Sequence, residues 1–508
     1  MNIGKTLTET IALADEAIRE AMPTAERDPF RPAFHFRAPA QWMNDICGAL
    51  YHEGYYHIFY QQAPFTDLMT AGVSLNSCWG HARSHDLVYW EHLPIAIAPS
   101  EEEGISQCAS GCAAHRGDGT PMLFYAHTPL SQAGERPPRQ QWAALPLDEE
   151  LRTWRTLDIG LAPGRSGVPS EIARIWADMS IFREKGRTFA IFKESDGLVC
   201  EALEPDLSRW KAVGRIDGVE GECPNMIKLQ DRWVLLRSTY PMTYQVGIFE
   251  PDRIAFAPDG LCGVVDYAYG LQGPPDVADN PDYYLDDTGV LICRPGAPRE
   301  HSTSRGFYGT NVLEAPDDRL VLLAWVGAFR PQGWNGCMSL PRVLSLDTEG
   351  RLVQTPIREL ANLRDRHAGL HDTNLEDGAL SVAGISGHTL EVMVSIVLGT
   401  AERVELLLRE QNDGQVAVKV VCDSMGLTAN GTVVPRLSGG DEQHVTLHLF
   451  YDKSVMELFI NGGRQTVTRV AYPASNAPLR VECRAIGGEA RITALDVWSL
   501  KAVWPTTG

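Results

Sequence analysis

After residue 22 the chain shows almost no helical periodicity. Short apolar runs are separated by turns rich in Gly, Pro, Asp and Asn, the pattern of an all-β protein. One run recurs, a Gly or Asp turn followed by an apolar-aromatic strand. It reads Gly54 before YYHIFYQ, Gly119 before TPMLFYAH, Gly186 before RTFAIFKE, Asp231 before RWVLLRS and Asp318 before RLVLLAW. Five loose copies predict five copies of one four-stranded unit, and radial repetition of such units makes a propeller. Ahead of them, residues 8–21 (TETIALADEAIREA) space Ile11, Leu13, Ala14 and Ile18 among Glu, Asp and Arg. That spacing predicts an amphipathic surface helix capped at Thr8, not an apolar leader peptide.

The pattern changes over residues 358–375, where Arg364-Asp365-Arg366-His367 opens a polar stretch. Such a stretch predicts a domain boundary. From 376 to 501 the strands alternate cleanly, as in LEVMVSIVL, ERVELLLRE and HVTLHLFYD, which predicts a β-sandwich. The expected division is a helical extension over 1–27, a propeller over 28–360 and a sandwich over 370–508. Residues 270–305, rich in Pro, Asp and Gly, predict a functional loop or an insertion.

Composition narrows the function. The chain has 508 residues, 44% hydrophobic and 22% charged, with a formal net charge of −20. So acidic a chain is not expected to bind nucleic acid or an anionic membrane surface through a basic face. No run of about 18 apolar residues predicts a membrane span. Eleven cysteines, an odd number, do not suggest a disulfide framework, so a cytoplasmic protein with reduced thiols is expected. Cys47, Cys78, Cys108 and Cys112 lack zinc-ligand spacing and read as small buried residues. His35, His57, His81 and His85 read as structural hydrogen-bonders. Neither a metal nor a cofactor is expected.

Three acidic residues have distinctive neighbours: Asp45 in Gln41-Trp42-Met43-Asn44-Asp45, Asp178 in Trp176-Ala177-Asp178-Met179, and Glu222 in Gly221-Glu222-Cys223-Pro224. Two carboxyl groups suffice to cut a glycosidic bond, one attacking the anomeric carbon and one protonating the leaving oxygen. Read together with Asp28-Pro29-Phe30-Arg31-Pro32, Phe59-Tyr60-Gln61, Cys78-Trp79-Gly80-His81-Ala82, Ser110-Gly111, Met338-Ser339-Leu340-Pro341-Arg342 and Glu457-Leu458-Phe459-Ile460-Asn461-Gly462, the chain resembles glycoside hydrolase family 32. This is the invertase and β-fructosidase family.

The resemblance implies an all-β fold, a five-bladed propeller followed by a β-sandwich. It implies a retaining enzyme for β-fructofuranosides such as sucrose or short fructo-oligosaccharides, with a small carbohydrate as partner. Asp45 would be the nucleophile, Glu222 the acid/base and Asp178 the transition-state stabiliser. Asn44, Gln61, Trp79, Ser110 and Trp325 would bind substrate. Glu222 would then need a raised pKa, and Asp45 would need donors that keep it ionised.

The departures from the family pattern cluster at the sugar pocket. Ile46-Cys47-Gly48 stands for Pro-Asn-Gly, Ala177 for an Arg, Met179 for a Pro, and Ala109 for an aromatic residue. Ser74 stands for a Trp, and Gly306-Phe307-Tyr308-Gly309 for Asp-Phe-Tyr-Ala. Losing an Arg and an aromatic wall leaves room for a different or substituted sugar, or for a replacement donor from 270–305. A furanosidase for another sugar, a fructosyltransferase and a non-catalytic carbohydrate binder are the alternatives. Three retained carboxylates argue against the binder.

Overall fold

The five recurring runs each become the second strand of a separate antiparallel sheet: Tyr55–Ala63, Pro121–Pro129, Arg187–Lys193, Arg232–Ser238 and Leu320–Val326. Residues along these strands are buried almost without interruption, because neighbouring blades cover both faces. A strand covered on both sides reads as a continuous apolar run, not an alternating one. The computed structural model describes residues 4–67, 77–130, 137–172, 176–193, 197–239, 241–267, 306–327, 329, 332–376, 378–436 and 443–504. It also gives the backbone pairing of Tyr283–Leu285 with Leu291–Cys293. The rest of the 270–305 segment, and Ser74, lie outside the described residues.

Blades I to V span residues 41–97, 105–161, 177–215, 222–266 and 307–356. Their first strands are Gln41–His52, Ile105–His115, Ala177–Glu184, Glu222–Leu229 and Phe307–Glu314. Each contacts the next, and the fifth contacts the first, so the five form a closed ring about one axis. Trp334–Asn335, leaving blade V, pairs in parallel with Gln41 and Trp42 and ties the last blade to the first.

The N-terminal helix runs from Leu7 to Arg27. Its cap is Thr6 and not Thr8: the Thr6 hydroxyl accepts from the Glu9 N–H while the Glu9 carboxylate accepts from the Thr6 N–H. This reciprocal pair satisfies two of the helix's unpaired donors. Buried Ala14, Ile18 and Ala25 pack into a cluster with Ile95, Phe329 and Trp334 of the propeller and Val455 and Val470 of the second domain.

That second domain is two six-stranded sheets, a β-sandwich. The polar stretch read as a boundary is itself a strand, Arg364–Glu376, at the sheet edge beside Glu489–Leu500. Its exposed edge position leaves it polar and hides it from an alternation test. No helix among the described residues is long and apolar enough to cross a membrane. Of the ten described cysteines only Cys262 is exposed, and none of the ten is in a disulfide. His57 and His81 share a buried 3.0 Å hydrogen bond, and His85 bonds the Gly54 carbonyl.

A buried charge network joins the domains. Arg342 of blade V pairs with Asp266 at 3.0 Å and Glu457 at 2.6 Å, all with fully buried side chains. His35 bridges Asp452 at 2.8 Å and Glu457 at 3.2 Å, again with no exposure. Asp452 also accepts the backbone N–H groups of Ala33, Phe34 and His35. Burial alone would discharge the His35 ring. Hydrogen bonds to Asp452 and Glu457 outweigh it and raise the pKa from 6.5 to about 9. Asp452 and Glu457 are correspondingly lowered: burial opposes their charge, but the bonds and charges of His35 and Arg342 prevail.

A raised histidine stabilises the fold fully below its unfolded pKa and loses that contribution as pH rises through the folded value. The wild-type thermal midpoint should therefore fall as pH climbs from 6.5 through about 9. The His35 share of that fall is roughly 3 kcal/mol. His35→Gln should melt several degrees lower at pH 6 and show a flatter slope above it. Equal slopes for the two proteins would show that His35 is not charged in the fold.

Candidate active site

The site lies where the innermost strands begin. Each of these strands carries a register irregularity near its start, and each irregularity places a residue in the cavity or directly beside it. Asp45 falls between Met43 and Ile46 in blade I, and Ser110 between Ala109 and Gly111 in blade II. Asp178 falls between Ala177 and Ser180 in blade III. Cys223 follows Glu222 in blade IV, and Gly309 follows Tyr308 in blade V. A bulge frees a residue from the two-face alternation of a strand and re-aims its side chain, here towards the common axis. The backbone is strained at the same places: φ is 53° at Asp178 and 44° at Cys223, where side-chain-bearing residues are uncommon.

Ten residues line one cavity of about 160 Å³: Asn44, Asp45, Gln61, Gln107, Ala109, Ser110, Arg139, Asp178, Lys193 and Glu222. The structure thus brings together Asp45, Asp178, Glu222, Asn44, Gln61 and Ser110, but not the two tryptophans. Trp79 is fully buried one layer behind, where its indole N–H donates to the Ala109 carbonyl at 3.2 Å. Trp325 is 1% exposed within the core between blades IV and V. Trp79 thus backs the wall of the cavity through Ala109, and neither tryptophan is among the lining residues. A one-residue difference in strand position decides such a matter, and sequence spacing does not carry it.

Asp45 sits under close constraint. Its Oδ2 accepts the Ser110 hydroxyl at 2.8 Å, and the Cys223 thiol lies 3.8 Å away. A Cβ on Gly309 would stand 2.2 Å from Asp45 Oδ1, so Asp45 holds this place only over a glycine. Asp178 Oδ2 accepts the Cys223 N–H at 3.1 Å. The Lys193 ammonium forms an ion pair with Glu222.

The electrostatics differ from the sequence-based expectation. Burial, and then the charges of Asp178 and Glu222, push Asp45 up to about 7, against the Ser110 hydrogen bond and Lys193. The carboxyl expected to be held ionised is thus one whose proton is held most of the way to neutrality. The donor that opposes this is a side-chain hydroxyl, not a set of backbone amides. Burial raises Asp178 as well, against the attraction of Lys193. Burial pushes the Cys47 and Cys223 thiols well up, so they stay protonated. Asp45, Asp178 and Cys223 offer ligand atoms within 4.8 Å of one another, a spacing a cation could bridge. Lys193 already supplies positive charge to both carboxylates.

Lys193, Arg139 and Gln107 are the cavity residues that sequence reasoning missed. Arg139 is held by the Thr128 hydroxyl at 3.2 Å and by Gln107 at 3.3 Å. Ala109 and Ala177, where bulkier residues were expected, pack with Ala126 into one small apolar cluster.

Fold and site together define a propeller-type glycosidase with three carboxylates at the blade axis. Residues 35–356 match the model of the glycosyl hydrolases family 32 N-terminal domain, and 359–499 match that of the family 32 C-terminal domain. The chain belongs to glycoside hydrolase family 32. A sucrose-6-phosphate hydrolase from Zymomonas mobilis is 25% identical, with 96% of each chain covered. A raffinose invertase from Escherichia coli is 24% identical over 97% of this chain and 100% of its own. A solved family 32 β-fructofuranosidase from Bombyx mori superposes with a TM-score of 0.74 at 22% identity, covering 97% of this chain and 98% of its own.

Two substitutions test the electrostatics. Ser110→Ala removes a hydrogen bond that lowers the Asp45 pKa. The acid limb of kcat/KM should move to higher pH by up to about one unit, and an unmoved limb would remove Ser110 from the account. Asp45→Asn removes a charge that the fold disfavours. A raised carboxyl loses stability as pH climbs from 3.8 through about 7, so this variant should melt above wild type at pH 8.

Proposed function

We propose that the protein is a retaining β-fructofuranosidase that cleaves sucrose or short fructo-oligosaccharides by double displacement. The observation that carries this reading is the convergence of Asp45, Asp178 and Glu222 on one cavity at the propeller axis. Relatives named for sucrose-6-phosphate, raffinose and levan support the substrate class. So does a variant of the Bombyx mori enzyme solved with sucrose. The buried cysteines fit a reducing cytoplasm.

In this reading Asp45 attacks the anomeric carbon of the fructosyl unit, and Glu222 protonates the departing glycosidic oxygen. A fructosyl-enzyme ester forms. Glu222, now a carboxylate, then takes a proton from water, which attacks the same carbon and releases fructose with retained configuration. Asp178 holds sugar hydroxyls and faces the positive charge that develops on the ring. Asn44, Gln61 and Ser110 supply further polar contacts. Substrate hydroxyls that donate to Asp45 would stabilise its anion when it must attack.

Asp45→Asn and Glu222→Gln should each lower kcat on sucrose by a factor of a thousand or more, since each removes several kcal/mol of barrier lowering. Circular dichroism should remain that of the wild type. Retention of a tenth of the rate by either variant would sink the assignment. A panel of sucrose, inulin oligomers and aryl furanosides tests the sugar, with free fructose as the expected product. Cleavage of an aryl arabinofuranoside with sucrose untouched would move the activity to another furanoside. Added methanol should trap a methyl fructoside, the mark of a covalent intermediate.

A further inference from the structure

Two cations line the cavity, Arg139, which donates to Thr128 and Gln107, and Lys193, which pairs with Glu222. In the resemblance drawn from sequence, the residue before Asp178 is an Arg; here it is Ala177. Ala177 is 1% exposed and packs against Ala109 and Ala126, so it presents no polar group to the cavity. Its register partner on the next strand of blade III is Lys193. The same irregularity that re-aims Asp178 lies between Ile191 and Lys193 on that partner strand. Lys193 therefore reaches the cavity from directly across the strand pair. Its ammonium meets Glu222, and its side chain is 14% exposed.

The charges around it come from every blade that borders this side of the cavity. Asp178 belongs to its own blade, and Glu222 with the neutral Cys223 thiol to blade IV. Asp45 stands across the axis on blade I, and Arg139 enters from blade II. Burial disfavours the Lys193 charge, but Asp178 and then Glu222 outweigh it and hold the ammonium charged. An ammonium on a four-carbon stem is a mobile point charge with three donors, unlike the fixed fork of a guanidinium.

We propose that Lys193 is the substrate-positioning cation of this site, replacing from the neighbouring strand the Arg missing at Ala177. In the structure the ammonium rests on Glu222. When sugar binds, it turns to the ring hydroxyls next to Asp178, and Glu222, freed of its cation, takes up a proton from water and gives it to the leaving oxygen. No group is consumed: a single ammonium exchanges one set of oxygen partners for another. The proposal rests on the β-fructofuranosidase reading, with Glu222 as acid/base.

The test is steady-state kinetics on sucrose over pH 4–9 for wild type, Lys193→Met, Lys193→Gln, Lys193→Arg and Glu222→Gln. Lys193→Met and Lys193→Gln should lower kcat/KM about ten- to a hundredfold, a loss of roughly 1.4–2.7 kcal/mol. They should also carry the acid limb to higher pH, because Asp45 and Asp178 lose the cation that favours their charged forms. Lys193→Arg should keep the wild-type limb. A loss of rate with an unmoved limb would mark a merely structural role and overturn the proposal, as would a neutral variant within twofold of wild type. If Lys193→Met fails to give the wild-type circular dichroism, the Gln variant, which keeps a polar head, carries the same test. Glu222→Gln separates the two claims. If it keeps a tenth of the wild-type rate, the acid/base reading fails whatever Lys193 does.

Discussion

Five ionisable groups without access to water hold this molecule in its shape. Arg342 stands between Asp266 and Glu457, with Phe307 and Phe459 over the guanidinium at 4.2 and 5.1 Å. His35 completes the set through Asp452 and Glu457. Each charge alone would be expelled from such a place, and removing one partner of a buried pair costs about 3–5 kcal/mol. The set is tolerable only when complete. Completing it requires the segment before blade I, the last strand of blade IV, the third strand of blade V and the sandwich to arrive together. One network of contacts thus joins the propeller ring to the docked sandwich. Phe307 is also the first residue of the innermost strand of blade V, two positions before the glycine under Asp45. The interface and the floor of the site are thus parts of one strand.

The five-fold scaffold was legible because burial on both faces writes itself as unbroken apolar runs, such as those after Gly119 and Asp318. The innermost strands were not, since polar residues and bulges interrupt them. Two boundaries moved for local reasons. The helix is capped by Thr6, where Glu9 can reciprocate, and not by Thr8. Residues 364–376 are polar because they lie on an edge, though they pair along almost their whole length.

The site divides in the same way. Asp45, Asp178 and Glu222 stand in local contexts that a sequence carries. Lys193 and Arg139 do not: each reaches the cavity from outside the innermost strands, Lys193 through its pairing with Ala177 and Arg139 from the residue before a strand of blade II. The resemblance also implied Trp79 and Trp325 as substrate-binding residues, and neither lines the cavity: Trp79 backs its wall through Ala109, and Trp325 lies in the core between blades IV and V. The protonation balance was misread for a related reason. Burial, and then the charges of Asp178 and Glu222, which come from other blades, raise Asp45.

The bulges at the starts of the innermost strands have a consequence for how such a molecule changes over time. A bulged residue is left out of the ladder, so replacing it disturbs few of the bonds that hold the blade. The lining of the cavity is therefore partly uncoupled from the scaffold. Asp178 sits in such a bulge, beside the register pair Ala177 and Lys193, and the blade keeps its pairing on either side. The same freedom fits a chain that shares 22% of its residues with the Bombyx mori protein yet superposes on it with a TM-score of 0.74. The propeller is inherited as a frame, and its axis is a row of exchangeable sites on which new sugar chemistries can be tried without refolding the protein.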